Sequence, residues 1–370
     1  MNQPIITTNP PQADSQDQGE QVSITKANVI KLGIDVHAKE YVVVRQIDHA
    51  TPQPAQRFTP EEFLKWAAKQ QQLGEKVYAC YEAGCFGYVL YRQLTAMGVE
   101  CYVVCPQNWD ERGTRVKNDQ RDALQLVIRL DRYVCGNRDA LAIVRVPTEA
   151  EEQLRCESRQ REQLLRERKR IQAQGRSLLA SQGIRSPSRW WTKPGWAKWS
   201  VQWPAWLVER LEETRPILLL IEEKIKAVTQ RLEAATSSGQ PRGFGAMTIE
   251  VLKREVGAWN RFKNRRQVAS YTGMCPGQIS SGSHSRNLSI TKHGNPRVRH
   301  ALIETVWRVV MYQPNYAPVE KWKSVICNPK ATSASRKKAA VAIGRRLAID
   351  LWRMNTGRCT AKDLNLVVNP

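Results

Sequence analysis

Four carboxylates in three segments of the chain have the types and spacing of a metal site. Asp35 lies in an apolar, strand-like run, with an isoleucine before it and a valine after it. A charge in a buried strand is costly unless it binds a metal or pairs with another group. Glu82 ends a second apolar run, and Asp119 and Asp122 stand three residues apart on one face of a predicted helix. These acids could bind Mg²⁺ or Mn²⁺ together with a phosphate group, as phosphoryl transfer requires.

Two of these acids also have an ordinary structural explanation. Asp119 could cap its helix, and Asp122 could pair with Arg121 or Arg129 on a solvated face. For Asp119 and Asp122 taken alone, this explanation is favoured. Asp35 is the acid that a purely structural role explains least well.

A serine pair is the second candidate for chemistry. It lies in a stretch from 271 to 299 whose repeated glycines and prolines predict a long shaped loop. Ser280 and Ser281 precede Gly282, and the cations that follow are Lys292, Arg297 and Arg299. A serine beside a flexible glycine and near fixed cations could attack a phosphodiester. The same composition is typical of a plain phosphate-binding loop, which the local sequence alone favours.

A short glycine turn offers a further phosphate contact. Gly243 and Gly245 open a predicted helix, where backbone N–H groups could face a phosphate. The motif is too short to be specific on its own.

The elements that must position the acids lie between residues 28 and 147. Apolar runs at 29–47, 76–83 and 101–106 predict strands, the first of them a strand pair, and helical spacing is seen at 61–71, 84–97 and 119–130. Strands that alternate with helices predict an α/β fold with a largely parallel, buried sheet. Sites of such sheets form at strand ends and helix starts, which is where three of the four acids lie.

The later part of the chain is predicted to be mostly helical. Residues 1–27 predict a disordered tail, 148–236 a coiled-coil-like helical hairpin, 237–325 a C-terminal domain, and 326–370 a basic helix and tail. Six tryptophans between 188 and 206 could stack on exposed bases or pack a turn between the two long helices. The packing role is favoured.

Charge and cysteine usage indicate the partner and the compartment. The formal net charge of +22 and the pI near 9.9 favour binding to nucleic acid. No apolar run approaches the ~18 residues of a membrane span, and no signal peptide is visible. Nine cysteines without zinc-site spacing predict reduced, mostly buried thiols in a cytoplasmic protein, with Cys80 and Cys105 in the core.

Four motifs, in chain order, carry a family resemblance. GIDVH, the strand-ending YEA, KNDQRDA, and SYTGMCPGQISSG followed by ITKHGNPRVRHALIE resemble the DEDD transposases of the insertion sequence 110 family, relatives of Piv-type DNA invertases. The resemblance covers nearly the whole chain after the tail, and its specificity lies in the combination. It implies a RuvC-like RNase H fold at the N-terminus, a helical linker and a C-terminal transposase domain.

The resemblance also implies roles for individual residues. Asp35, Glu82, Asp119 and Asp122 would form a tetrad that binds Mg²⁺ or Mn²⁺, and Ser281 would be the family's serine, with Ser280 as an alternative that the sequence leaves open. Recombination would pass through a covalent phosphoserine link to DNA, directed by a structured noncoding guide RNA. A site shared between protomers would require a homo-oligomer, a dimer or a tetramer.

Some features depart from the family pattern or leave other functions open. Ser283 stands where the family usually has a second glycine, and the following spacer lacks another common glycine. His37 and His293 lie near proposed site residues and are interpreted as structural or phosphate contacts. A metal-dependent nuclease or Holliday-junction resolvase that uses water, and an inactive DNA-binding remnant, are the alternative functions.

Overall fold

The computed structural model describes residues 26–106, 118–236, 239–281 and 284–369. The chain divides between Val146 and Pro147 into two compact units. The predicted N-terminal tail lies outside the described residues, apart from its last two positions.

A five-stranded mixed sheet is the centre of the first unit. Its strands are β1 (Ala27–Val36), β2 (Tyr41–Ile47), β3 (Gln56–Phe58), β4 (Gly74–Glu82) and β5 (Glu100–Val104), in the order β3-β2-β1-β4-β5. β1, β2 and β3 are antiparallel neighbours, whereas β4 runs parallel to both β1 and β5. The prediction of a largely parallel sheet is therefore wrong for one half of it. The short connection between β1 and β2 can join only antiparallel strands.

Helices cover both faces of this sheet. They are α1 (Pro60–Leu73), α2 (Val89–Ala96) and α3 (Asp119–Val134). Apolar side chains of α1 and α2 pack on one face against Ile30, Leu32 and Ile34, and those of α3 pack on the other. α2 begins five residues later than the sequence predicts, because Gly87 has a φ of +67°, which is incompatible with a right-handed helix.

A long antiparallel helical hairpin begins the second unit. Its helices are α4 (Glu149–Ser181) and α6 (Ala205–Ala234), with the short α5 (Lys193–Trp199) between them. Three hydrogen bonds join the long helices in reverse order: Arg231 to Glu157, Arg161 to Thr229, and Arg168 to Glu222. The hairpin therefore has the predicted form.

The tryptophans of the hairpin pack at its closed end. Trp190 is fully buried, and Trp191 and Trp203 are nearly so, in a core shared with leucines of α4 and α6. A Cβ at Gly175 would lie 2.2 Å from the Trp190 ring, so this glycine makes room for the indole. The structure supports the packing role for these three residues. Trp206 is half exposed.

The remaining elements build the second core of the unit. They are α7 (Ala246–Val256), α8 (Arg265–Thr272), β6 (Pro276–Ser281), β7 (His284–Ile290), α9 (Pro296–Tyr312), α10 (Ala317–Ile326) and α11 (Ser333–Asn355). Leu302 and Val306 of α9 lie in one core with Ile343 and Leu347 of α11. The basic helix that the sequence separates at residue 326 is thus part of the same folded body as α7 to α10.

The predicted long loop contains regular structure. β6 and β7 form an antiparallel pair in which Ser281 is opposite His284 and Ser280 opposite Ser285. Glycine and proline content predicted an irregular segment, and backbone pairing between two neighbouring runs overrides that composition.

All nine cysteines lie in the described part of the chain and are free. Cys80 is buried as predicted, but Cys105 is exposed just beyond β5, and five of the nine are exposed in all, so the prediction of mostly buried thiols is wrong. Among the described residues, no helix has the length and apolar character of a membrane span.

Candidate active site

Alternation along β1 directs Asp35 toward α3. Gly33 faces α3 closely, since a Cβ at Gly33 would lie 2.3 Å from the Ala123 carbonyl oxygen. Side chains two residues apart in a strand point to the same face, so Asp35 lies on the α3 side of the sheet. The absence of a side chain at Gly33 lets α3 approach the strand that carries this acid.

Glu82 lies beside Asp35 at the same edge. Ile34 and Tyr81 pair in register and both belong to the core under α1 and α2. Asp35 and Glu82 follow them by one residue, so they occupy adjacent positions on the opposite face. This edge is formed by the carboxyl ends of the parallel strands β1 and β4, where α/β sheets bind their ligands.

The first turn of α3 brings the other two acids. Asn118 is the N-cap residue, and its side chain accepts a hydrogen bond from the Gln120 amide at 3.1 Å. Asp119 is therefore the first helical residue and not the cap, which removes the capping explanation for it. Asp119 and Asp122 both lie in the first turn, where the helix dipole favours acids.

A histidine joins this group of acids. The Nε2 atom of His37 lies 3.0 Å from Asp35 Oδ2 and 3.7 Å from Asp119 Oδ2. One potential ligand atom from each of Asp35, His37 and Asp119 lies within 4.8 Å of the others. The sequence placed His37 near the site but gave it no ligand role.

The electrostatics of Asp35 fit a cation site. Burial raises the pKa of Asp35 above its ordinary value, and the charges of Asp119 and Asp122 add to the rise, while His37 opposes it. Three acids thus act on one another at one edge of the sheet. A divalent cation would relieve both the desolvation and the repulsion, so these residues fit Mg²⁺ or Mn²⁺.

The serine pair lies in the second unit. Ser281 is the last residue of β6 and directly precedes positions 282 and 283, which lie outside the described residues, so nothing is shown of the predicted contact at Gly282. Ser280 is one position earlier in the same strand. Either serine is therefore carried by a short antiparallel hairpin that α8 precedes and α9 follows.

The three predicted phosphate-binding cations differ in their contacts. Arg297 donates a 2.6 Å hydrogen bond to Glu162 of α4. Arg299 donates to the carbonyl oxygens of Thr272 and Lys292, at 3.0 and 3.3 Å. Arg299 thus joins the two ends of the β6–β7 hairpin that carries the serines, which we call the serine hairpin. Arg297 attaches the start of α9, which follows this hairpin, to α4. The Lys292 side chain is exposed.

A buried carboxylate ties the start of α9 to the helical hairpin. Glu255, at the end of α7, is 1% exposed and accepts two hydrogen bonds from Arg159 of α4, at 2.9 and 3.0 Å. It also accepts a 2.8 Å bond from Asn295, the N-cap residue of α9. Burial would raise the pKa of Glu255, but the hydrogen bonds from Arg159 and Asn295 and the nearby arginine charges outweigh it and lower the pKa. Local sequence reasoning missed this residue because its partners are distant along the chain.

The glycine turn before α7 packs against α9. Gly243 has a φ of +91°, and a Cβ there would lie 3.2 Å from the backbone of Arg308. A Cβ at Gly245 would lie 2.8 Å from the Arg308 guanidinium. Close packing accounts for both glycines, and their predicted contact with phosphate stays a prediction.

Comparison with known proteins gives matches in both units. Residues 32–182 match a DEDD transposase family model of the IS110 type, and residues 240–319 match the model described as "Transposase IS116/IS110/IS902 family". Two Sinorhizobium fredii proteins, named "Putative transposase y4rJ" and "Putative transposase y4qE", are 32% and 30% identical over 304 and 306 residues. These alignments cover 75% of this chain and 76% and 75% of the relatives.

A further relative is the transposase for insertion sequence element IS1533 of Leptospira borgpetersenii. It is 26% identical over 314 residues, which cover 75% of this chain and 85% of the relative. The matched segments include all four acids, the serine pair and the cations that follow it. The chain therefore belongs to the IS110 family of transposases, enzymes that cut and rejoin DNA.

Proposed function

We propose that this transposase uses two sets of residues, a four-acid metal site and a nucleophilic serine. The observation that carries the proposal is the convergence of Asp35 and Glu82 at adjacent strand ends, with the acidic first turn of α3 on the same face. The mixed α/β sheet supports a RuvC-like RNase H fold for residues 28–147. The helical hairpin at 148–236 would then link this domain to the transposase domain that carries Ser281.

In the proposed reaction, the Ser281 hydroxyl oxygen attacks a DNA phosphorus and forms a phosphoserine bond. The bond between that phosphorus and the 3′ oxygen breaks, the serine proton passes to solvent, and the leaving 3′ oxygen takes up a proton. A divalent metal held by Asp35, Glu82, Asp119 and Asp122 would supply charge stabilisation for the attacking and leaving oxygens. Lys292, which is exposed, would contact the phosphate directly.

Arginines that hold the serine hairpin would support the same step indirectly. Arg299 fixes the end of α8 to the segment after β7, and Arg297 connects the start of α9 to α4. We propose that both position the hairpin, and that their charges add to the field at the phosphate. Gly243 and Gly245 remain candidates for phosphate contact through their backbone N–H groups, with the Arg308 guanidinium beside Gly245.

Partners and assembly follow from the same proposal. The net charge of +22 favours binding to the phosphates of DNA and, as we propose, of a structured noncoding guide RNA. We propose a homo-oligomer in which the acids of one protomer act with the serine of another.

The deciding experiment incubates the full-length protein with DNA of the element ends and RNA transcribed from the flanking region. The product to detect is a phosphoserine link between Ser281 and DNA, by mass spectrometry. Ser281→Ala should abolish the adduct and leave nucleic-acid binding unchanged, while Ser280→Ala, the matched control, should form it. An adduct that survives Ser281→Ala but not Ser280→Ala would assign the nucleophile to Ser280 instead.

The acids are tested separately with Asp35→Asn. This variant should bind DNA but not cut it in the presence of Mg²⁺ or Mn²⁺. Cutting at the wild-type rate would overturn the metal site. Cutting that persists in both serine variants would indicate a nuclease or resolvase that uses water, and wild-type protein without any cutting would indicate an inactive remnant.

A further inference from the structure

His37 completes the candidate metal site in a way that the four-acid description does not include. Its Nε2 atom lies 3.0 Å from Asp35 Oδ2 and 3.7 Å from Asp119 Oδ2. We propose that His37 is a direct ligand of the metal bound by Asp35 and Asp119, and that the site therefore prefers Mn²⁺ to Mg²⁺. This inference rests on the proposed metal site and specifies its ligands.

The separations between these atoms match those of ligands around a single ion. Ligand atoms at ~2.1 Å from an octahedral metal lie about 3 Å from their neighbours and about 4 Å from the atom opposite. The two measured distances, 3.0 and 3.7 Å, fall in this interval. One potential ligand atom from each of the three residues lies within 4.8 Å of the others, so one ion could contact all three side chains after modest side-chain shifts.

The backbone holds His37 in this place. The residue directly follows β1, and its amide donates a 3.1 Å hydrogen bond to the Glu40 carbonyl oxygen, which closes the turn into β2. The His37 side chain is 44% exposed, so a metal ion and its water can reach the nitrogen from solvent. This backbone hydrogen bond places His37 at the end of β1, two residues after Asp35.

The ligand set decides which metal is favoured. Mg²⁺ takes oxygen ligands almost exclusively, whereas imidazole nitrogen is a good ligand for transition metals. Replacing one oxygen by the His37 nitrogen should raise the affinity for Mn²⁺ relative to Mg²⁺. Asp35, Asp119 and Asp122 give the site the negative charge that either ion requires.

Pulsed electron paramagnetic resonance of Mn²⁺ bound to the full-length protein tests the ligand directly. A directly bound imidazole gives a nitrogen hyperfine coupling, which a histidine that only hydrogen-bonds to Asp35 does not. Titration of free Mn²⁺ in the same samples gives the affinity, and competition with Mg²⁺ gives the preference. The variants are His37→Ala, Asp35→Asn and, as the matched control, His49→Ala.

We expect the wild type to show bound nitrogen and His37→Ala to lose it. Mn²⁺ affinity should fall in His37→Ala by at least the roughly 10-fold that loss of an outer-shell partner costs, and Mg²⁺ affinity by less, while His49→Ala should behave as wild type. His49 is an informative control because, with Asp131 and Cys135, it forms the other candidate cation cluster among the described residues of this unit.

Three outcomes would overturn the proposal, and they are distinguishable. Mn²⁺ that binds through Asp35 without a nitrogen coupling would keep the metal site and remove His37 from it. A coupling that survives His37→Ala but is lost in His49→Ala would assign the nitrogen to the other cluster. Mn²⁺ binding that ignores Asp35→Asn, or no binding at all, would overturn the four-acid site and this inference together.

Discussion

Gly33→Ala should damage the candidate site without touching any of its acids. Gly33 is buried in β1, and the added Cβ would lie 2.3 Å from the Ala123 carbonyl oxygen and 2.5 Å from the Val127 nitrogen. Ordinary contacts begin at 3.4 Å, and both clashing atoms belong to the backbone of α3. The helix must therefore retreat from the strand by roughly 1 Å to admit one methyl group.

The expected effect has two parts. Overpacking of this kind costs about 1–3 kcal/mol of unfolding free energy. The retreat of α3 also carries Asp119 and Asp122 away from Asp35, and metal ligands tolerate displacements of only about 0.5 Å. We therefore expect a lower denaturation midpoint and a weaker affinity for Mn²⁺, measured by chemical denaturation and by Mn²⁺ titration of the full-length chain.

Gly84→Ala is the matched control. Gly84 follows Glu82 by two residues, and a Cβ there would meet no atom closer than 4.0 Å. This variant should keep the wild-type midpoint and Mn²⁺ affinity. If Gly33→Ala matched the wild type in both measurements, the close contact between β1 and α3 would not be what sets the position of the acids.

Four further substitutions test the second unit. Glu255→Gln should lower the free energy of unfolding by about 2 kcal/mol at neutral pH, because it removes the buried charge that Arg159 and Asn295 contact. The pKa of Glu255 is lower in the folded protein than its unfolded value of 4.5. Its contribution to the free energy of unfolding is therefore present above pH 4.5 and is lost as the pH falls through the folded-state pKa. The denaturation midpoints of the variant and the wild type should accordingly converge in acid. Trp190→Ala should cost about 3–5 kcal/mol and Trp206→Ala less than about 1, by urea denaturation, since only Trp190 is fully buried. Tyr316→Phe should cost about 1 kcal/mol in the same assay, because it removes the 2.9 Å hydrogen bond to buried Asp350.

The strands and the helix that carry the four acids could be predicted because local sequence signals indicate them. An aspartate inside an apolar run indicates a strand with a costly charge, and two acids three residues apart indicate one helix face. Neither signal depends on distant parts of the chain. The strand that carries Asp35, the strand end at Glu82 and the helix start at Asp119 were therefore read from the sequence with small errors in their bounds.

What depends on distant partners was not predictable. Arg297 was predicted to contact phosphate, and the structure shows that it also bonds to Glu162, 135 residues away. Gly243 and Gly245 looked like a phosphate turn, and Arg308 of α9 fills the space beside them. In both cases the sequence did not reveal the packing role, and the contact with phosphate stays a prediction.

The prediction of a long loop at residues 271–299 was wrong for a different reason. Its glycines, serines and prolines have low strand propensity, which predicts a loop. The two runs nevertheless pair, because each supplies the backbone hydrogen bonds that the other lacks. Pairing between the two backbones is not visible in the propensity of either run taken alone.

The 96-residue separation between Arg159 and Glu255 sets the order in which these partners emerge as the chain is synthesised. The first unit ends at Val146 and can fold as soon as it has emerged, since domains fold as units from the N-terminus. Arg159 is synthesised 96 residues before Glu255, the carboxylate that it contacts. At a synthesis rate of ~5–20 residues per second, Glu255 follows about 5–20 seconds later. α6 emerges before Glu255 and is available to pair with α4 during this interval. The helical hairpin can thus assemble before the part that carries the serine is complete.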